Sequence, residues 1–433
     1  MITGLHGVIG FGLLLVLMAS GLHVATAMFL LSLIATLIYM GPALLSTFGS
    51  QLWSTMNNYL LTAIPLFILM GELLLRAGVT TRMYESLSDW LKPLPGRLLH
   101  TNIGASALFS AISGSSVATA ATIGSVAVPE LEKRAYSEKW VLGTIAAGGT
   151  LGILIPPSVN LIVYGAMTDT SIGALFLGGL IPGLALTGIF MLIVIIGALV
   201  RPSIAGQPEK TDPLSVRLAR LKGLLPPLGI FLLVMGSIYG GFATPTEAAA
   251  IGVVLAFLLA AGNGVLSIRM LHDAFVSSIK TSSLILLIMV AAFYLNFISS
   301  MIGVPQAMSQ LITMWGADPL TVIWVLVVFY LILGCFLETM SMMIATIPIV
   351  FPIIQHLGLD PVWFGIFLVM MMELALITPP VGMNLYVVQG IRHNGGKMSD
   401  IFLGVLPFIG GLLLLVAIII YVPQLATDLP SVM

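Results

Sequence analysis

The sequence is poor in charge. Of 433 residues, 8% are Asp, Glu, Lys or Arg and 59% are hydrophobic. Soluble globular domains carry about 25% charged residues, so the composition excludes that class. A formal net charge of −1 leaves no basic surface for nucleic acid. One cysteine, Cys335, excludes an intrachain disulfide framework and a cysteine-based zinc cluster. The six histidines show no HxxxH spacing, so no transition-metal site is expected. The motifs HExxH and GxSxG are absent, which argues against an intramembrane enzyme. The first basic residue is Arg76, so no charged n-region of a cleavable signal is expected.

What the chain has is apolar length. A helix rises 1.5 Å per residue and needs about 20 apolar residues to cross a hydrocarbon core of about 30 Å. Residues 5–19 and 22–40, parted by Ser20-Gly21, predict two spans. A polar loop over 41–57 leads to a third, 58–76. Glu72 and Arg76 share a helix face there and read as an anchoring pair near the membrane edge. Over 77–97, Met83, Leu87, Trp90 and Leu91 recur at helical spacing among Arg82, Lys92 and Arg97. This predicts an amphipathic helix lying on the membrane, on the cytoplasmic side where basic residues collect.

Residues 98–131 are apolar but interrupted by Ser113-Gly114-Ser115-Ser116, and Lys133, Arg134 and Lys139 follow. Both flanks are basic, so the segment should leave on the side it entered: a re-entrant hairpin. Arms of roughly 15 residues reach about 22 Å, short of the full core. Residues 140–165 then cross outward, broken between Gly148 and Pro157, and 172–200 return. The stretch 201–222, with Arg201, Lys210, Arg217, Arg220 and Lys222, is a basic cytoplasmic linker.

The second half repeats the plan. Spans are expected at 224–242, 245–262 and 280–300, with Thr244-Pro245-Thr246-Glu247 as a capping box opening the second. No Lys or Arg occurs over 281–391. Within that range 319–356 is a second hairpin, broken at Gly334–Ser341 and entering from the opposite side. Residues 361–390 cross inward, broken at Thr378-Pro379-Pro380 and Gly382; Arg392 and Lys397 mark the cytoplasm, and 400–421 is the last span. Pro379 lies 223 residues beyond Pro156, and the same offset carries 22 to 245 and Ser115 to Glu338. The expected fold is therefore an all-α polytopic membrane protein of two inverted repeats, each with a re-entrant hairpin and a broken helix, as in secondary transporters. The first repeat is 1–200 (scaffold spans within 5–76, hairpin 98–131, broken helix 140–165). The linker is 201–222. The second repeat is 223–433 (scaffold spans within 224–262, hairpin 319–356, broken helix 361–390).

Non-helical backbone at membrane depth is tolerated only where it is buried in protein or lines a cavity. Hairpin tips and helix breaks offer carbonyl and hydroxyl oxygens, the ligands a small hard cation needs once it sheds water, while half-helix N-termini favour a carboxylate. In the first half Ser113, Gly114 and Ser115 are expected to face Gly152, Ile155 and Pro156. In the second, Gly334, Glu338 and Thr339 are expected to face Thr378, Pro379 and Gly382. Ser116, Thr119, Ser158, Asn160 and Asn384 between them are candidate solute contacts. The plainer reading of small residues is close helix packing; the repeat of both breaks with inversion favours a site. Glu338 and Glu373 are functional candidates because acids are costly in a membrane. Either could instead be pinned to a helix N-terminus as structure, and Glu373 is read that way. The oxygen ligands alone admit sodium, lithium or proton coupling.

The segments SGSSVATAATIGSVAVPELEKR (113–134), AAGGTLGILIPPSVNLIVYG (146–165) and ELALITPPVGMNLYVVQG (373–390) resemble the large membrane subunit of tripartite ATP-independent periplasmic (TRAP) transporters. The resemblance runs over essentially the whole chain. It implies a sodium-driven importer of organic acids (a C4-dicarboxylate, sialic acid or a related carboxylate) that works by an elevator motion in the inner membrane. It also implies two partners, a small four-helix membrane subunit and a periplasmic substrate-binding protein. Sodium is the implied co-transported ion, and no organic cofactor is expected. A binding-protein-independent dicarboxylate or anion symporter shares hairpins and inverted repeats and is the alternative.

Overall fold

The computed structural model describes residues 4–207, 212–316, 318–392 and 395–432, and the described residues contain helices and no strand. Lys210 of the expected linker lies outside them. In chain order the helices are α1 (Gly4–Ala19), α2 (Val24–Tyr39), α3 (Phe48–Met56), α4 (Ala63–Arg76), α5 (Val79–Leu91), α6 (Leu98–Ser113) and α7 (Ser116–Glu132). Next come α8 (Glu138–Thr150), α9 (Val159–Thr168), α10 (Ile172–Val200), α11 (Leu214–Arg220), α12 (Leu225–Tyr239), α13 (Pro245–Gly262) and α14 (Ile268–Ile302). The chain closes with α15 (Val304–Trp315), α16 (Pro319–Gly334), α17 (Thr339–His356), α18 (Pro361–Ile377), α19 (Met383–Ile391), α20 (Met398–Tyr421) and α21 (Gln424–Thr427). Six continuous helical stretches among the described residues are long and apolar enough to cross a membrane, or seven if the bent pair α11–α12 is one span.

Local chemistry explains the helix ends. Prolines occupy the first turn of α12, α13, α16 and α18, where their missing N–H is not needed. The capping box forms: the Glu247 carboxylate accepts from Thr244 N at 2.8 Å, and Glu247 N donates to Thr244 Oγ1 at 3.3 Å. Asp318 and Asp360 accept from the backbone N–H of Thr321 and Trp363, opening α16 and α18. Hydrogen bonds from the hydroxyl and the N–H of Thr321 hold the Asp318 carboxyl below the usual range.

The two hairpins differ in their tips. α16 starts 221 residues beyond α6 and α17 starts 223 beyond α7, so the second tip is two residues longer. Four stretches also depart from the sequence expectation. Residues 41–57 form a 3-10 turn and α3 rather than a plain loop. α14 runs unbroken from Ile268, because no Gly or Pro interrupts it before Gly303 takes a left-handed conformation (φ +86°). The segment between the expected span 280–300 and the second hairpin holds α15, which occupies the place of α5 in the second half. α17 is also longer than an expected hairpin arm, with 18 residues.

Side-chain contacts orient the halves. Leu98 N donates to Tyr136 Oη, so the first hairpin begins and ends on one face. On that face Arg97 donates to the carbonyls of Ala205 and Gly206, Arg220 pairs with the buried Asp89, and Arg392 pairs with Glu138 and Asp400. All four basic segments thus meet. At the opposite face Tyr164 Oη donates to Pro361 O at 2.7 Å and Trp363 Nε1 to Ile419 O at 3.0 Å. There Phe351 of α17 packs edge-on to Tyr164, and Trp324 of α16 lies beside Tyr421. The second hairpin therefore begins and ends on that face. α8–α9 and α18–α19 run antiparallel, which is the inversion. The hairpins and broken helices of both halves pack together with α10 and α20, whereas α2, α4, α12, α13 and α14 pack mainly with one another.

Candidate functional site

The first tip is built by glycine and hydroxyl chemistry. α6 ends at Gly114, whose φ of +59° is strained for any residue with a Cβ. A Cβ there would also lie 2.7 Å from Pro157 O. Ser115, in extended backbone, caps α7 by accepting from Ala118 N. Thr119 Oγ1 donates to Ser115 O at 2.7 Å and sits 3.0 Å from Ser113 Oγ.

Against this tip lies the first broken helix. α8 runs into a 3-10 turn, Leu151–Ile153, then the Pro156-Pro157 peptide, which is cis, before α9 begins. Two prolines remove the N–H groups that would have paired with the carbonyls of Gly152 and Ile153. Ser158 Oγ takes up the Ile153 carbonyl and caps α9. A Cβ on Gly152 would meet Ser115 C, Ser115 O and Ser116 N at 2.7–2.8 Å. Tip and break thus touch backbone to backbone. Ile155 is buried beside Gly183, next to Pro156 in the same break.

The second tip meets its own break differently. Gly334 lies against Ala375, and Cys335 Sγ donates to Pro379 O at 3.5 Å. Glu338 caps α17: its carboxylate accepts from Ser341 N (3.0 Å), Ser341 Oγ (3.2 Å) and Thr339 Oγ1 (3.0 Å). Thr378 Oγ1 bonds its own helix at Leu374 O, and Gly382 (φ +26°) opens α19. The break again contains a cis proline pair, Pro379-Pro380.

Both tips open on one cavity of about 420 Å³. Ser113, Gly114, Ser115 and Ser116 line it from the first hairpin, Glu338 and Thr339 from the second, and Asn160 from α9. Gly152, Ile155, Pro156, Gly334, Thr378, Pro379 and Gly382 are not among its lining residues. Of the five candidate solute contacts, Ser116 and Asn160 line it. Thr119 and Ser158 are turned into their own elements, and Asn384, fully buried, donates to Ala146 O of α8.

Sequence reading missed the far wall, which comes from α4 and α14 and includes Ile68, Gly71, Glu72, Thr281 and Ile285. Glu72 does bond Arg76, but it also accepts from Ser277 Oγ at 2.7 Å and borders the cavity. The signal was present: Glu72 is an acid within a span. Its i,i+4 partner made it read as an anchor alone. Gly71 touches the tip directly, with Ser113 backbone 3.2 Å from the position a Cβ would take. Glu373 is fully buried, and neither carboxylate oxygen has a hydrogen-bond partner among the described residues. It is not pinned to a helix N-terminus as expected.

Paired hairpins and broken helices of opposite orientation around one cavity define a polytopic membrane protein of the permease type. The YdaH transporter of Alcanivorax borkumensis shares the fold, with a TM-score of 0.60 over 88% of this chain and 87% of that one at 16% identity. Residues 11–425 match the family described as tripartite ATP-independent periplasmic transporter, DctM component, and the chain belongs to it. It is a large permease subunit of the inner membrane. It is 33% identical to the C4-dicarboxylate TRAP transporter large permease protein DctM of Pseudomonas aeruginosa, over 92% of each chain. It is 30% identical to the ectoine TRAP transporter large permease protein TeaC of Halomonas elongata, over 90% of each. It is 31% identical to the isethionate TRAP transporter permease protein DctMQ of Oleidesulfovibrio alaskensis, over 96% of this chain and 65% of that one.

Proposed function

We propose that this chain is the permease of a sodium-coupled, binding-protein-dependent importer of an organic acid, working by an elevator motion. The observation that carries the reading is the direct backbone contact of the Ser113–Ser115 tip with Gly152 and Pro157, where no side chain intervenes. Such a close approach sets carbonyl and hydroxyl oxygens of the tip beside the break, the ligand type a small dehydrated cation takes, with Ile155 and Pro156 in the same break. Gly334, Glu338, Thr339, Thr378, Pro379 and Gly382 form the related set in the second half. The hairpins and broken helices, together with α10 and α20, are the moving body. The group of α2, α4, α12, α13 and α14 is the fixed one, and the cavity lies between them. On this reading the chain divides into repeats 1–200 and 223–433 joined by the linker 201–222.

The partners are a small four-helix membrane subunit, packed on the apolar outer faces of the fixed body, and a periplasmic substrate-binding protein. The family's tripartite description and the joined name of the DctMQ relative support this. Relatives named for a dicarboxylate, for isethionate and for ectoine leave the solute open within small organic acids and zwitterions. Proteoliposomes test the reading. Uptake is expected only with this chain, the small subunit, the loaded binding protein and an inward sodium gradient. Equal uptake under potassium or choline refutes sodium coupling. Robust sodium-driven uptake by the purified chain alone establishes the binding-protein-independent symporter instead.

A further inference from the structure

Two short amphipathic segments lie side by side on the basic face. α5 and the stretch 214–223, which is α11 with the 3-10 turn Leu221–Gly223, run antiparallel. Gly223 sits against Arg82, Ser86 Oγ approaches Arg220 O at 2.7 Å, and the Arg217 guanidinium lies 4.4 Å from the centre of the Trp90 ring. Both segments cross between the two groups of packed helices: α5 joins α4 to α6, and 214–223 leads from α10 to α12.

Buried charge holds this pair together and leaves other charge over. Asp89, 1% exposed, pairs with Arg220 and Lys92, and Arg220 also meets Asp212 at 2.8 Å. Arg82 bonds a neutral amide, Asn263 Oδ1, at 3.0 Å. Arg217 is stacked on Trp90, and Lys222 is exposed. Among the described residues none of these three cations pairs with a carboxylate. Glu85 lies on the other side of α5, in a separate cleft with Lys92, Glu130 and Arg134.

The apolar part of the same surface is bare. α11 buries none of its residues; Leu214 is 60% and Leu218 51% exposed, and Trp90 is exposed beside them. The stretch bends 48° away from α12, which begins at Leu225. Lys222 therefore stands at the cytoplasmic end of a span, at headgroup level. Unpaired cations flanked by exposed Leu and Trp are the make-up of helices lying in an anionic headgroup layer.

We propose that this platform binds an anionic phospholipid of the cytoplasmic leaflet. Arg82, Arg217 and Lys222 hold its headgroup, and its acyl chains lie along Leu214, Leu218 and Trp90. The headgroup bridges α5 and 214–223, adding to the Asp89–Arg220 pair that already joins the two crossings. A zwitterionic lipid brings an ammonium to the same cations and loses the advantage. Three basic residues at an anionic surface separate the two lipids by about tenfold to a hundredfold.

The test uses the full chain with its small subunit, delipidated in a neutral detergent. It is titrated with phosphatidylglycerol and with phosphatidylcholine and read by native mass spectrometry and thermal shift. Phosphatidylglycerol is expected to bind about tenfold or more tighter, with the difference shrinking as salt is raised. Arg82→Gln, Arg217→Gln and Lys222→Gln together should bring it to the phosphatidylcholine level. Lys133→Gln, Arg201→Gln and Lys397→Gln, an equal loss of charge elsewhere on the basic face, should keep the preference. Equal binding of the two lipids to the unmodified complex overturns the proposal, whatever the variants do. Retention of the preference by the first set overturns it too, and so does an equal loss in the second, which would mean diffuse surface charge. Displacement of the lipid by sn-glycerol 3-phosphate at equal concentration would assign the patch to a soluble phosphate instead. A preference shown by the chain alone and absent from the complex would mean that the small subunit covers the patch. No sodium gradient or solute enters the measurement, so it stands apart from the transport reading.

Discussion

Replacing Gly152 with alanine tests the ion site most directly. The added methyl would sit 2.7 Å from Ser115 C and 2.8 Å from both Ser115 O and Ser116 N. All three are backbone atoms, so no rotamer change relieves the clash. The tip must move away from the break by several tenths of an ångström, opening the backbone pair that forms one wall of the proposed sodium site. Overpacking of this kind costs about 1–3 kcal/mol. At about 1.4 kcal/mol per factor of ten, a site that requires the contact should lose about 5- to 150-fold in apparent sodium affinity. Gly188→Ala in α10, where nothing lies within 4 Å of the new methyl, is the matched control and should leave affinity unchanged. The assay is a sodium titration of thermal stability on purified protein, repeated as sodium-dependent uptake in the reconstituted system. Gly152→Ala with wild-type sodium dependence in both would show that the contact is not part of an ion site, and the reasoning would fail.

Three further outcomes are expected. In a Cys335-free background, a cysteine at Lys133 should react with an impermeant thiol reagent only from the cytoplasm and one at Gln355 only from the periplasm, both positions being exposed; same-sided labelling would undo the inverted hairpins. Gly143→Ala should destabilise the protein by about 1–3 kcal/mol or more, because its methyl would run into the Gly404 carbonyl oxygen at the α8–α20 crossing. Gly410→Ala on the free side of α20, with nothing within 4 Å, should be neutral in the same thermal denaturation experiment. Glu373→Met should raise stability by about 1–3 kcal/mol, since the carboxyl is fully buried and makes no hydrogen bond among the described residues; a loss of stability would mean that Glu373 holds a partner, and a loss of uptake at unchanged stability would make it functional.

Much of the architecture was legible in the chain alone. Apolar length and scarce charge determine that it spans a membrane, because bare backbone and charge are both too costly in lipid. The lysines and arginines at 76–97, 133–139, 201–222 and 392–397 determine which ends meet, and the structure brings them to one face. The offset of 223 carries one broken helix onto the other and Ser115 onto Glu338, and both residues cap the second arm of a hairpin. These features are local or periodic, so sequence records them. The cavity is neither. Glu72 and Ser113 are 41 positions apart, and Glu338 is 266 positions from Glu72; only the packing of α4 and α14 against the two tips puts them around one space. The same holds for Thr119, Ser158 and Asn384. Their residue types fit a solute, but a hydroxyl or amide in a membrane bonds the nearest free backbone oxygen. Whether that oxygen belongs to its own helix, to a neighbour or to a ligand is decided by tertiary packing alone.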